Sequence, residues 1–200
     1  MTGVGPPVDG STPLDDEERD HLIPGHLLTR ADLNQWEALN IAQAHQWLSR
    51  RRTANVLSVD FLRQLHRRMF GRTWKWAGTF RRSEKTVSPF HWTSVPQLVQ
   101  DLMANAEAQL VASSGAPGEI DEIAMRFHHQ LVRIHPWPNG NGRHARPATD
   151  ELLRQLRRPR FTWGSARDLE TAGNARDDYI AALRKADGGD FGLLRAFVRS

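Results

Sequence analysis

From Gly118 onward, apolar residues fall at Ile120, Ile123, Ala124, Phe127, Leu131 and Ile134. These spacings of three, four and their sums set all six on one face of an α-helix. A half-buried strand would need strict alternation, and a helix with one such stripe must be covered by other helices. Similar spacings recur along the chain. A helix is expected from near Thr29 or Asp32, carrying Leu33, Trp36, Ile41, Ala44 and Leu48 inward. A second should begin after Ser58 as N-cap, bury Phe61, Leu62, Leu65 and Met69, and stop at Gly71. Further helices are expected from about Pro96 to Leu110, through Leu152, Leu153 and Leu156, from about 167 to 186 and from about 190 to 199. Residues 79–92 lose the helical period and mix β-branched with aromatic residues, which predicts a loop with a short β-hairpin. The expected fold is therefore all-α, a helical bundle with one short hairpin.

No internal repeat is visible, and 200 residues suit one domain with a sizeable core. Residues 1–13 are rich in Gly, Pro, Ser and Thr and read as a flexible tail, leaving 14–200 as the single domain. The opening has neither a basic nor an apolar leader region, and no run of 18 apolar residues occurs, so a cytoplasmic protein is expected. The chain has no cysteine, which excludes a disulfide framework, a thiolate nucleophile and a Cys-type zinc site. Any catalysis must use His, carboxylates, Arg, hydroxyls or backbone.

The net charge of +4 hides an asymmetry. Residues 1–40 hold 8 Asp/Glu against 2 Lys/Arg, so the front is acidic and the remainder strongly basic. Such a body suits a nucleotide, a nucleic acid or an acidic protein, and the acidic front could lie against it.

The densest chemistry is "IHPWPNGNGRHAR", residues 134–146. Gly140 and Gly142 tolerate positive φ, so backbone N–H groups around Asn141 can converge on an anion, and a helix starting there adds its own N–H groups and dipole. Arg143 and Arg146, three apart in the first turn, offer planar donors to further phosphate oxygens, which favours a di- or triphosphate. His135 ends the preceding buried helix and falls on its inward side, where an imidazole can take a proton from an attacking hydroxyl. Taken singly, each feature has a structural reading: a turn, a C-cap and solvated cations. His66, His128, His129 and His144 read as packed or peripheral, since no metal-ligand spacing links them.

The stretch resembles the Fic family signature H-P-F-x-(D/E)-G-N-G-R-x-x-R, here His135, Pro136, Trp137, Pro138, Asn139, Gly140, Asn141, Gly142, Arg143, His144, Ala145, Arg146. Ten of the twelve positions match. "LHRRMFGRTWKWAGTFR" and "FHHQLVRIHP" are similar to other family segments, and "TPLDDEERDHLIP", "SEK", "NGNGRHAR" and "RPRFTWGSA" resemble the mobile mystery protein B subgroup. The likeness covers roughly residues 12–199.

The resemblance implies an all-α Fic fold and transfer of AMP from ATP, with Mg²⁺ or Mn²⁺, to a Ser, Thr or Tyr hydroxyl of a target protein. By the same carry-over, His135 is the general base, and Gly140, Asn141 and Gly142 cradle phosphates. Arg143 takes the α/β region and Arg146 the γ-phosphate, while Lys85, Thr86, Val87 and Ser88 form a hairpin flap that docks target backbone. Asn139 stands where the family's metal-holding acid would be; its amide oxygen can ligate an ion but brings no charge. Pro147 removes a hydrogen bond four residues after Arg143, so a later helix start or a kink is expected there.

The family also resembles itself in an inhibitory (S/T)-x-x-x-E-(G/N) helix. Leu33-Asn34-Gln35-Trp36-Glu37-Ala38 retains only the Glu, and Glu37 is expected to pair with Arg146 and block the γ-phosphate. The subgroup likeness implies a genetically paired helix-turn-helix protein as partner. Two alternatives stand beside AMP transfer: a phosphotransferase of other selectivity, on account of Asn139, and a basic nucleotide- or nucleic-acid-binding module without catalysis.

Overall fold

The computed structural model describes residues 20–24, 30–51, 55–164, 169 and 173–200. The tail of residues 1–13 and the first residues of the helix expected at 167–186 lie outside them. Seven α-helices occur among the described residues: α1 (Arg30–Arg50), α2 (Val59–Phe70), α3 (Val95–Ala112), α4 (Pro117–Ile134), α5 (Asn141–Gln155), α6 (Asn174–Asp187) and α7 (Gly192–Val198). A 3₁₀ turn, Trp92–Ser94, leads into α3.

The stripe on α4 explains the arrangement. Ile120, Ile123, Ala124, Phe127, Leu131 and Ile134 are all buried, and α4 packs against α3, α5, α6 and α7. One helix can be buried by four others only if its apolar face is broad; here His128 and His129 are enclosed as well. α1 and α2 pair with each other, and α2 also packs on α5. Ser58 caps α2, its Oγ accepting the Phe61 N–H at 3.2 Å, and Phe61, Leu62, Leu65 and Met69 line the core as their spacing requires. The larger apolar cluster joins α1–α5 around Trp74 and Trp137; a second joins α6, α7 and the outer ends of α4 and α5 around Phe161, Tyr179 and Phe197.

The fold is all-α, but the short hairpin is absent. Residues 79–91 hold no strand, and the expected flap is a single turn closed by the Ser88 N–H on the Lys85 carbonyl at 3.0 Å. Pro89 has no N–H to give to a ladder. Carbonyls that a ladder would use are taken by a side chain instead, since Arg81 donates to those of Ser83 (2.9 Å) and Phe90 (2.6 Å). Among the described residues, the one isolated bridge lies elsewhere, between Leu22 and Trp74.

Pro147 neither delays nor ends its helix. α5 begins at Asn141 and runs through the buried Pro147 to Gln155. Proline is tolerated there because the neighbouring Ala145, Ala148 and Thr149 are buried and tertiary packing holds the turn.

Candidate functional site

His135 closes α4 in the left-handed conformation (φ 56°, ψ 58°), its N–H on the Leu131 carbonyl at 3.4 Å. Left-handed geometry is costly for a side chain with a Cβ and persists only where surroundings enforce it. Here the enforcing group is Arg81, itself fully enclosed. Its Nε donates to the His135 carbonyl at 2.8 Å and its backbone N–H to the Pro136 carbonyl at 2.8 Å. One Nη reaches Ser83, the other Phe90 and Ser88 Oγ (3.2 Å). Ser88 Oγ also sits 3.1 Å from the carbonyls of Arg133 and Ile134. The last carbonyls of α4 are thus held by Ser88, from the turn that the sequence assigned to a flap, and the carbonyl of its cap residue His135 by Arg81.

Burial, with Arg81 and Lys85 close by, pushes the His135 imidazole down to about 3, so the ring is neutral at physiological pH. It also forms a hydrogen bond with the Val132 backbone, which leaves the second ring nitrogen as the lone-pair side.

The loop after His135 is fixed from within. Trp137, fully buried, stacks on His66 with ring centroids 4.3 Å apart, and its Nε1 donates to His144 Nδ1 at 3.2 Å. That donation puts the His144 proton on Nε2, which donates to the Leu62 carbonyl at 3.0 Å. His66 is fixed likewise: the Gly78 N–H donates to its Nδ1 (3.0 Å), so Nε2 carries the proton given to the Asn139 carbonyl (3.2 Å). Both rings are held well below the usual histidine range by burial, as neutral spacers must be.

Asn141 does not point outward. Its amide closes on Trp137, Oδ1 accepting the Trp137 N–H and Nδ2 donating to its carbonyl, both at 2.9 Å. Gly140 alone of the two glycines is left-handed (φ +78°), and a Cβ there would lie 2.6 Å from Phe70 Cζ. Gly142 lies in the first turn of α5. The first bond of that helix runs from the His144 N–H to the Gly140 carbonyl (2.8 Å), so the N–H groups of Asn141, Gly142 and Arg143 precede the ladder. The segment expected to cradle an anion is therefore a helix N-terminus opened by one left-handed glycine, rather than a two-glycine nest.

The two motif arginines diverge. Arg143 lies over the Phe70 ring (5.0 Å) and forms an ion pair with Glu37. Arg146 lies over the Tyr179 ring (5.8 Å). Glu37 therefore meets Arg143, not the expected Arg146. The reason is its anchor: Glu37 is 2% exposed on α1, and the buried Trp74 donates Nε1 to its Oε1 at 2.7 Å, on the Phe70 side. Asn139 Oδ1 accepts the Gly140 N–H at 2.6 Å. This neutral, engaged amide does not fit a protein-held divalent cation, and no group of three or more His, Asp or Glu that could hold an ion occurs among the described residues. Lys85 is buried beside His135, whereas Val87 is exposed.

Three comparisons bear on this geometry. Residues 56–153 match the model of the Fic/DOC family. The chain carries a Fic/DOC family domain. It is 26% identical over 180 residues to the protein adenylyltransferase Fic of Nematostella vectensis, covering 88% of this chain and 38% of that one. It is 31% identical over 144 residues to protein adenylyltransferase fic-1 of Caenorhabditis briggsae, covering 72% and 26%. The chain thus spans well under half of either relative. A crystal structure of BepC from Bartonella tribocorum with bound AMPPNP shares the fold at TM-score 0.69, 14% identity and coverage of 92% and 97%. The shared fold therefore extends beyond the segment matched by the family model. No helix among the described residues is long and apolar enough to cross a membrane.

Sequence reasoning missed Arg81, Trp74, Arg176 and Tyr179. Arg81 lies inside a segment quoted for its likeness, yet nothing local marks it as buried. Arg176 and Tyr179 approach Arg146 only through tertiary packing of α6.

Proposed function

We propose that this Fic/DOC domain transfers AMP from ATP to a hydroxyl of a protein target. The observation that carries the reading is a neutral imidazole, held in a strained left-handed turn by a buried arginine, five residues before a helix N-terminus bearing Arg143 and Arg146. The names of the relatives and the AMPPNP bound to BepC support it.

In this reading the polyphosphate lies on the N–H groups of the first turn of α5, with the two guanidiniums on its oxygens. The target hydroxyl oxygen attacks the α-phosphorus. The new P–O bond forms as the bond to the bridging oxygen breaks, pyrophosphate leaves, and the hydroxyl proton passes to the lone-pair nitrogen of His135. A pKa of about 3 makes a weak base; bound phosphate charge beside the ring raises it toward the useful range. Because Asn139 supplies no charge, any divalent ion arrives on the phosphates. Glu37 competes for Arg143, so the enzyme is autoinhibited through the first motif arginine. The turn at Lys85, Thr86, Val87 and Ser88 receives the target backbone, Val87 being its exposed edge. The mobile mystery protein B likeness adds a helix-turn-helix protein as the proposed partner.

The test is transfer of label to protein in a lysate from ATP labelled at the α or the γ position, with the chain and its His135→Ala variant. Label from α-ATP alone, lost in the variant, is expected. Label from γ-ATP alone would establish phosphate transfer, the reading that Asn139 favours. No label, with Glu37→Gly also silent, would overturn the enzyme reading.

A further inference from the structure

α2 presents one chemistry inward and another outward. Its inner face buries Phe61, Leu62, Leu65 and Met69, together with His66, whose ring holds the Asn139 carbonyl of the motif loop. Its outer face carries Asp60, Arg63, Gln64, Arg67 and Arg68, set side by side by the helical repeat. Arg51, just past the end of α1, joins them by donating to Gln64 Oε1 at 2.7 Å. Three of the four guanidiniums rest on neutral groups. Arg51 lies over Trp47 (4.6 Å) and Phe61 (5.8 Å), and Arg68 lies over the same Trp47 (5.4 Å). Arg63 lies over Phe80 (5.8 Å), and its Nε donates to the Gly78 carbonyl at 3.0 Å. The fourth, Arg67, is exposed. None of the four forms an ion pair among the described residues, whereas Arg126 and Arg195 meet Glu122, Arg154 and Arg160 meet Glu151, and Arg199 meets Asp121. A groove of about 490 Å³ runs along this face, lined by Arg51, Arg63 and Arg67 among others, with Asp60 as its single carboxylate.

We propose that this outer face of α2, with Arg51 beside it, binds the phosphate backbone of double-stranded nucleic acid. Cations that no carboxylate neutralises release the condensed counterions of a duplex when they meet its phosphates, and that release is the main source of sequence-independent affinity. Guanidiniums suit the task because each offers a planar pair of donors to one phosphate. The aromatic rings decide between one strand and two. Trp47, Phe61 and Phe80 each lie against a guanidinium, so the face lacks the free stacking platform on which single strands depend. No large apolar side chain of α2 is exposed, so a protein partner would find charge here without a buried anchor. Contacts to phosphate carry no sequence information, and any duplex should serve. None of the four arginines belongs to the candidate site, which lies on the His66 side of α2 and stays open when the outer face is covered.

The experiment follows the fluorescence anisotropy of a labelled DNA duplex of about 20 base pairs and arbitrary sequence as the full chain is added, at salt concentrations from about 50 to about 200 mM. Four phosphate contacts give a slope of log K against log salt of about −3.6. Arg67→Gln combined with Arg68→Gln should bring the slope to about −1.8 and weaken binding about tenfold or more at the lower salt, with an unchanged melting temperature because both side chains are exposed. Arg126→Gln combined with Arg195→Gln removes the same charge from side chains that a carboxylate already holds, and should change affinity less than about twofold. An equal loss in the two double variants would show attraction to net charge alone and overturn the proposal. Tighter binding of a single strand than of the duplex would overturn it in favour of base stacking, and tighter binding of poly-glutamate than of the duplex in favour of an acidic protein. His135→Ala, in which AMP transfer should vanish, should bind the duplex as the parent does, so the transferase reading and this one fail separately.

Discussion

Replacing Glu37 with Gln should make the protein less stable and better at binding ATP, two effects of opposite sign from one contact. Glu37 is 2% exposed and has two partners, Trp74 Nε1 at 2.7 Å and the Arg143 guanidinium. Gln keeps an acceptor for Trp74, so the buried indole N–H stays satisfied. What is lost is one charge-assisted bond, about 1.5–3 kcal/mol. The Arg143 side chain is 20% exposed and keeps the Phe70 ring beneath it at 5.0 Å, so water and the ring offset part of that loss. The net cost then sits at the lower end, about 1.5–2 kcal/mol, which for a domain of this size lowers Tm by about 3–8 °C. The same contact must open before phosphate can recruit Arg143. Removing it should tighten ATP by about ten- to thirtyfold, the equivalent of that energy. Differential scanning fluorimetry without nucleotide gives the first number and titration calorimetry with ATP the second. A lower Tm with unchanged ATP affinity would show Glu37 to be a packing residue and refute the inhibitory contact.

Arg81→Lys, which cannot span the carbonyls of Ser83, Phe90 and His135 together, should lower kcat about tenfold or more while ATP affinity in calorimetry stays within about twofold; a parallel loss of both would mean general unfolding. Gly140→Ala should cost about 2–4 kcal/mol in a urea melt, combining a φ of +78° with a Cβ 2.6 Å from Phe70, and a cost below about 1 kcal/mol would contradict the packing. Stability should fall as pH drops below about 6.5. The unfolded chain takes up protons there that neutral His66, His128, His135 and His144 refuse, His128 and His135 being held to about 3 and His144 to about 4. Asp150, pushed up to about 6 by burial, acts with the opposite sign because its folded form binds the proton first, but it is one group against four. Thermal melts between pH 7.5 and 5 that show a flat or rising Tm would refute this balance.

The helices and the loop at Gly140 were legible because each is written locally. The α4 stripe, the Ser58 cap and the Gly140 turn announce themselves by spacing, and the structure keeps all three. Errors came where a residue's partner lies far along the chain. The turn at 85–88 reads as a hairpin tip until Arg81 is seen to spend its donors on the Ser83 and Phe90 carbonyls that a second strand would need, and Ser88 its hydroxyl on the last carbonyls of α4. Glu37 has the right residue type for blocking a motif arginine, but which arginine depends on Trp74, 37 residues away, holding one carboxylate oxygen on the Phe70 side. Arg143 and Arg146 are three apart on one helix and still serve different neighbours, because one leans toward α1 and α2 and the other toward α6. That divergence has a consequence for control. Under the proposed function, a carboxylate on Arg143 leaves Arg146 on its own side of the helix, so the site denies a polyphosphate only the guanidinium that Arg143 would supply. Inhibition of that kind costs the nucleotide affinity as well as productive placement, so a Glu37 variant should show a lower KM for ATP together with a higher kcat.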